Sequence, residues 1–102
     1  MSFEKSLTAI RNKFPTWMIR YGFEFKGKFY FMASPGKNRF NPKDTAVATF
    51  VVDPKTGDIE TKSVIEVYSG LGMLERKQYR KASENPTLID ISKQQYQELL
   101  KL

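Results

Sequence analysis

Apolar residues recur at two periods along this chain, and the changes of period mark out its elements. Phe3, Leu7, Ile10 and Phe14 are spaced four, three and four residues apart, which is one face of a helix over residues 2–14. Ser2 suits the N-cap and Glu4 the positive end of the helix. Pro15 ends it, because the residue before a proline avoids the helical region. The period then falls to two. In "WMIRYGFEF", residues 17–25, alternation places Trp17, Ile19, Tyr21, Phe23 and Phe25 on one face and Met18, Arg20, Gly22 and Glu24 on the other. "KGK" predicts a tight turn, and "KFYFMAS" a second strand with Phe29, Phe31 and Ala33 on one face and Tyr30 and Met32 on the other. Both of its faces are apolar, which suits the centre of a sheet.

Residues 34–45, "SPGKNRFNPKDT", carry two prolines, a glycine and two asparagines and predict a loop, of a length often tied to function. "TAVATFVV" is a third strand and "DIETKSVIEVY" a fourth, with Ile59 facing the core. Between them "DPKTG" is a turn written by backbone needs: Pro54 presets φ for a type I turn, and Gly57 supplies the positive φ that follows. In "SGLGMLERKQYRKASEN", residues 69–85, two glycines precede a short helix whose polar side holds Arg76, Lys77, Arg80 and Lys81. "PTLIDI" suggests one more short strand. "SKQQYQELLKL" predicts a terminal helix, with Ser92 and Gln95 as a capping box and Tyr96, Leu99 and Leu100 as an apolar stripe. The expected fold is a single α+β domain over residues 1–102: a helix and antiparallel sheet over 3–66, then a basic segment and C-terminal helix over 67–102. The N- and C-terminal helices are expected to pack on a curved sheet of four to five strands in two layers.

Composition removes several kinds of chemistry. The 102 residues include no cysteine and no histidine, so disulfides, Cys-based zinc sites and Ser-His or Cys-His nucleophile pairs are absent. With the commonest general base and metal ligand missing, carboxylate or lysine chemistry stays open but an enzyme using carboxylates alone ranks last; no catalytic residue, cofactor or metal site is expected, and the chain reads as a non-enzyme. No apolar run approaches the length needed to span a bilayer, and "MSFEKSLTAIRNKF" has no continuous apolar core of a signal peptide. A cytoplasmic protein with no membrane partner is expected, although a trimmed exported domain would read the same way.

Charge is unevenly spread. Residues 1–43 hold nine Lys/Arg against two Asp/Glu, residues 44–75 two against six, and residues 76–102 six against three, within a net charge of +6. Such asymmetry suits an acidic partner, either a protein face or nucleic acid, as well as an ordinary solvated surface.

The order helix, strand, strand, strand, turn, strand is similar to PepSY-type modules, and related shapes occur in cystatin-like small domains, including some toxin-immunity families. The residues that carry the resemblance are Val52, Asp53, Thr56, Gly57 and Ile59, in the V-D-x-x-T-G-x-I pattern of a last hairpin, and it covers about residues 3–66. The resemblance implies a non-catalytic binding or inhibitory module and carries over no catalytic residue. The chain departs from it in lacking an export signal, in the length of loop 34–45 and in residues 67–102. In style, small, basic and free of Cys and His, it also resembles prophage accessory proteins.

Four groups of residues are candidates for binding. In the loop, Lys37 and Arg39, with Asn38 and Lys43, could meet phosphates while Phe40 stacks on a base, or the loop is solvated and Phe40 folds inward. The segment Arg76, Lys77, Tyr79, Arg80, Lys81 is the strongest electrostatic feature, with four cations in six residues, and suits an acidic protein surface or a phosphate backbone. The aromatic set Trp17, Tyr21, Phe23, Phe29 and Phe31 would be a stacking platform if exposed, but reads better as the core beneath a helix. The carboxylates Asp53, Asp58, Glu60 and Glu66 lack the ligand order of a calcium loop and read as a solvated strand face. An acidic protein surface is the expected partner and nucleic acid the alternative. An edge strand also leaves a homodimer open.

Overall fold

The computed structural model describes residues 1–35 and 47–100, apart from the side chains of residues 93, 99 and 100. Its elements are α1 (Phe3–Lys13), β1 (Trp17–Phe25), β2 (Lys28–Pro35), β3 (Ala48–Val52), β4 (Ile59–Ser63), α2 (Val64–Ser69), α3 (Met73–Ser83), β5 (Leu88–Ile89) and α4 (Lys93–Leu100). The five strands form one antiparallel sheet in the order β4-β3-β2-β1-β5, with β2 at the centre as its two apolar faces predict. The α+β class, the N-terminal helix and the antiparallel sheet follow the sequence pattern. Among the described residues no helix is long and apolar enough to cross a membrane.

The turns follow local chemistry. Lys26 and Gly27 both have positive φ, 49° and 74°, the two-residue connection whose twist matches the strands it joins. In the 53–58 turn the Gly57 N–H donates to the Asp53 carbonyl at 2.7 Å with Gly57 at φ 77°. The Asp53 carboxylate accepts from the Lys55 N–H at 2.9 Å. Asp53 and Gly57 therefore serve the turn's own backbone.

Alternation along β1 breaks. Ile19 pairs with Ala33, but Tyr21 pairs with the very next residue of β2, Met32, so Arg20 is an extra residue inserted between two ladder pairs. The insertion reverses the faces. Trp17 and Ile19 pack with Leu7, Ile10, Phe29, Phe31, Phe50 and Val52 beneath α1. Tyr21, Phe23 and Phe25 point the other way and pack with Met32, Val51, Val64, Val67, Tyr79, Ile91 and Tyr96. The single aromatic face expected from strict alternation is thus split between two cores. Gly22, now turned toward α1, has no room for a side chain: a Cβ there would lie 2.8 Å from Phe31 Cδ1 and 3.0 Å from Phe3 Cζ. The expected two layers become three, with α1 on one face and α2, α3 and α4 contributing to the core on the other.

A second difference lies at "SVIEVYS". The β-branched run extends the predicted fourth strand to Tyr68, yet the strand stops at Ser63 and α2 begins. Ser63 is the N-cap, its hydroxyl accepting from the Glu66 N–H at 3.1 Å, and Val64 and Val67 turn one helical face to the core. A good cap and a burial site at i, i+3 override strand propensity here. Capping of α4 is as expected: Gln95 N–H donates to Ser92 Oγ at 3.1 Å, and Ser92 N–H donates to Gln95 Oε1 at 3.0 Å. Of its stripe, Tyr96 is buried, while the side chains of Leu99 and Leu100 lie outside the described residues.

The core under α2–α4 is rich in tyrosine. Tyr21 stacks on Tyr96 with centroids 4.7 Å apart, and its hydroxyl donates to the Ser83 carbonyl. Tyr79 meets Phe23, Phe25 and Tyr30 edge-on at 5.1, 5.3 and 5.5 Å. Burial disfavours the phenolate, so it pushes Tyr21 up to about 12, with Glu84 adding to the rise, and moves Tyr30, Tyr79 and Tyr96 upward as well. A folded-state value raised above the unfolded one stabilises fully below about pH 10 and less at each step above it, by up to about 1.4 kcal/mol per pH unit per tyrosine. Stability should therefore decline above about pH 10, with tyrosinate absorbance rising together with loss of near-ultraviolet circular dichroism. Complete ionisation of the tyrosines with the dichroism unchanged would contradict this packing.

Candidate functional site: the outer face of α3

Helix α3 is fixed in rotation by what it buries. Tyr79 and Ser83, four residues apart, face inward at 3% and 2% exposure. Tyr79, expected as a binding contact beside the basic residues, instead packs its ring on Phe23 and Phe25 of β1 and Tyr30 of β2. An ion pair between Glu75 and Lys26, 3.0 Å apart at the surface, ties the start of α3 to the β1–β2 turn. Lys26 is the cause of the lowered Glu75 pKa, through its hydrogen bond first and its charge second.

The four cations of the segment divide into two kinds. Arg76 is half-buried and structural. Its Nε–H is shared between the carbonyls of Tyr68, at 3.2 Å, and Leu71, at 3.1 Å, which lie at the end of α2 and just beyond it. Its guanidinium lies 5.1 Å from the centre of the Tyr68 ring, and that of Arg80 lies 5.3 Å from it. Lys77 and Lys81 are exposed and take part in no ion pair among the described residues. Met73, Lys77 and Lys81 follow at intervals of four, so they form one stripe opposite Tyr79. Met73 is 83% exposed and Leu74 beside it 70%.

The sequence pattern misses Met73, Leu74 and Tyr68 as members of this surface. Periodicity could have found the first two: once Tyr79 and Ser83 are taken as the inward positions, Met73 and Leu74 must point away. The loop candidates Lys37, Arg39 and Phe40, with Asn38 and Lys43, lie outside the described residues. Trp17, Tyr21, Phe23, Phe29 and Phe31 all belong to the two cores, so no aromatic platform forms from them. Asp53, Asp58 and Glu60 line a shallow depression with Lys28 and Val51, while Glu66 stands apart on α2. Among the described residues no group of three or more acidic side chains is arranged to hold a metal ion.

No family model, no curated protein and no solved structure matches this chain.

The division of the cations gives a direct expectation. Arg76→Ala should lower stability by about 1–2 kcal/mol in urea unfolding, since two carbonyls lose a charged donor and Tyr68 loses a stacked partner. Lys77→Ala and Lys81→Ala should each change it by less than about 0.5 kcal/mol. Equal effects at all three positions would contradict the assignment of Arg76 to the fold.

Proposed function

We propose that this chain is a small non-enzymatic protein-binding module that covers an acidic partner surface with the outer face of α3. The observation that favours this most is the make-up of that face. Two exposed apolar side chains, Met73 and Leu74, sit about one turn from Lys77 and two from Lys81, with Arg80 at the flank. A phosphate backbone is bound by cations and hydrogen-bond donors and gains nothing from an exposed leucine and methionine. A protein interface has an apolar centre with charges around it. The partner surface would therefore pair apolar residues with Asp and Glu. The patch is small, so the contact is of the weak, transient class.

The resemblance of residues 3–66 to PepSY-type and cystatin-like modules favours the same kind of function, and the proposal extends to a bacterial or prophage accessory protein working in the cytoplasm. Nucleic acid is the competing ligand, through Lys77, Arg80 and Lys81. It is less favoured because Arg76 is committed to the carbonyls of Tyr68 and Leu71 and Tyr79 is buried.

The two ligands separate in a titration of the isotope-labelled protein followed by amide shifts. The probes are a synthetic amphipathic peptide bearing Glu around Leu, and mixed-sequence DNA and RNA, each at low and near-physiological salt. The peptide should move the α3 amides with Kd between about 10 μM and about 1 mM. Its binding should weaken less than about tenfold between the two salts, and Leu74→Ser and Lys77→Glu should each reduce it. Micromolar binding of nucleic acid, with a log–log salt slope near −0.9 per phosphate neutralised and no response to the peptide, would overturn the proposal.

A further inference from the structure

We infer that β4 is a self-complementary edge through which two copies of this chain pair, joining their sheets into one continuous antiparallel sheet. None of the residues involved belongs to the α3 face, so the two proposals stand or fall separately.

The two edges of the sheet differ. β5 has only two residues, follows Pro86, and is tied inward to β1 at Asp90, whose N–H donates to the Arg20 carbonyl at 2.6 Å and whose carboxylate pairs with Arg20 at 2.9 Å. β4 has five residues with no proline and no bulge, and Glu60, Thr61 and Lys62 at its centre are exposed. Its free side can be read from the ladder. The Asp53 N–H donates to the Asp58 carbonyl at 3.0 Å, which makes Asp53 and Asp58 a hydrogen-bonded pair. Alternation then makes Val51–Glu60 and Thr49–Lys62 the next such pairs. The main-chain groups of Ile59 and Thr61, and the Ser63 N–H, therefore point away from β3.

Two β4 strands placed antiparallel about a two-fold axis at Thr61 satisfy both geometry and charge. Thr61 meets Thr61 of the second copy and exchanges both main-chain bonds with it. Glu60 meets Lys62 of the second copy, and Lys62 meets Glu60, in the non-hydrogen-bonded positions where side chains approach most closely. Within one chain these two side chains already pair at 3.3 Å on one face of the strand, so pairing builds an alternating cluster of four charges. Slipping the register by two residues in either direction brings Glu60 against Glu60 or Lys62 against Lys62. An edge lysine ordinarily discourages strand pairing. Here the sequence Ile-Glu-Thr-Lys-Ser makes it a register selector for a second copy of the same strand.

Sedimentation velocity over a concentration series at near-physiological salt tests this. The wild-type chain should show a monomer–dimer equilibrium with Kd between about 1 μM and about 1 mM, as suits a short edge contact. Glu60→Lys and Lys62→Glu should each weaken it about tenfold or more, because each reversal sets like charges opposite one another twice. The double variant, with the charges exchanged, should recover most of the lost affinity. Thr61→Pro, which removes an N–H that β3 does not use, should abolish the dimer while keeping the circular dichroism of the monomer. A wild-type chain that stays monomeric at about 1 mM would overturn the inference. So would association that the single reversals leave unchanged, or a double variant as weak as the singles. If Thr61→Pro fails to fold, the charge-reversal set decides alone.

Discussion

The extra residue in β1 is the constraint from which the rest of the molecule follows. A strand with strict alternation would send Trp17, Ile19, Tyr21, Phe23 and Phe25 to one face, leaving the other to Met18, Arg20, Gly22 and Glu24. That second face could not hold three helices. With Arg20 inserted between the Ile19 and Tyr21 pairs, both faces of β1 become apolar, each over about half its length. The insertion also coincides with the edge that β5 closes, through the Asp90–Arg20 contacts, and it turns Gly22 to the one place where the rings of Phe3 and Phe31 need a residue without a side chain.

The candidate interface depends on that split. Because Phe23 and Phe25 face away from α1 there is an aromatic site for Tyr79, and Tyr79 and Ser83 are the buried residues that set the rotation of α3. With that rotation fixed, Arg76 falls against the end of α2 and Lys77 and Lys81 fall outward. The same charge in the sequence therefore has two physical fates: Arg76, with Arg80 beside it against the Tyr68 ring, joins α3 to α2, and Lys77 and Lys81 are left for solvent or a partner. The α1 core shares the sheet and packs on the face away from this surface.

Much of the fold was legible because it was written locally. The Phe3–Phe14 spacing, the Lys26–Gly27 and Asp53–Gly57 turns and the Ser92–Gln95 capping box each specify a conformation within a few residues, and each appears where expected. What was not legible is decided at longer range or by competing local signals. Alternation cannot show an inserted residue, although Gly22 inside a strand is the mark such irregularities leave. Val64, Ile65 and Val67 have strand propensity, which the Ser63 cap on the Glu66 N–H outweighs by starting α2. At the site, charge was legible and burial was not: Tyr79 and Arg76 are spaced like their neighbours, and only the helix's rotation separates them from Lys77 and Lys81. Lys37, Arg39 and Phe40 lie outside the described residues, so their part in binding was an expectation from sequence only.

The most direct measurement is the pattern of through-space contacts among the aromatic rings by nuclear Overhauser spectroscopy. The split strand predicts contacts from Trp17 to Phe50, whose ring centres are 5.5 Å apart, and from Tyr21 to Tyr96, at 4.7 Å. It further predicts that Trp17 and Tyr21 share no side-chain neighbour. Contacts from both Trp17 and Tyr21 to the rings of α1 would mean that alternation is unbroken, and the placement of Tyr79, Arg76 and the outer face of α3 would fall with it.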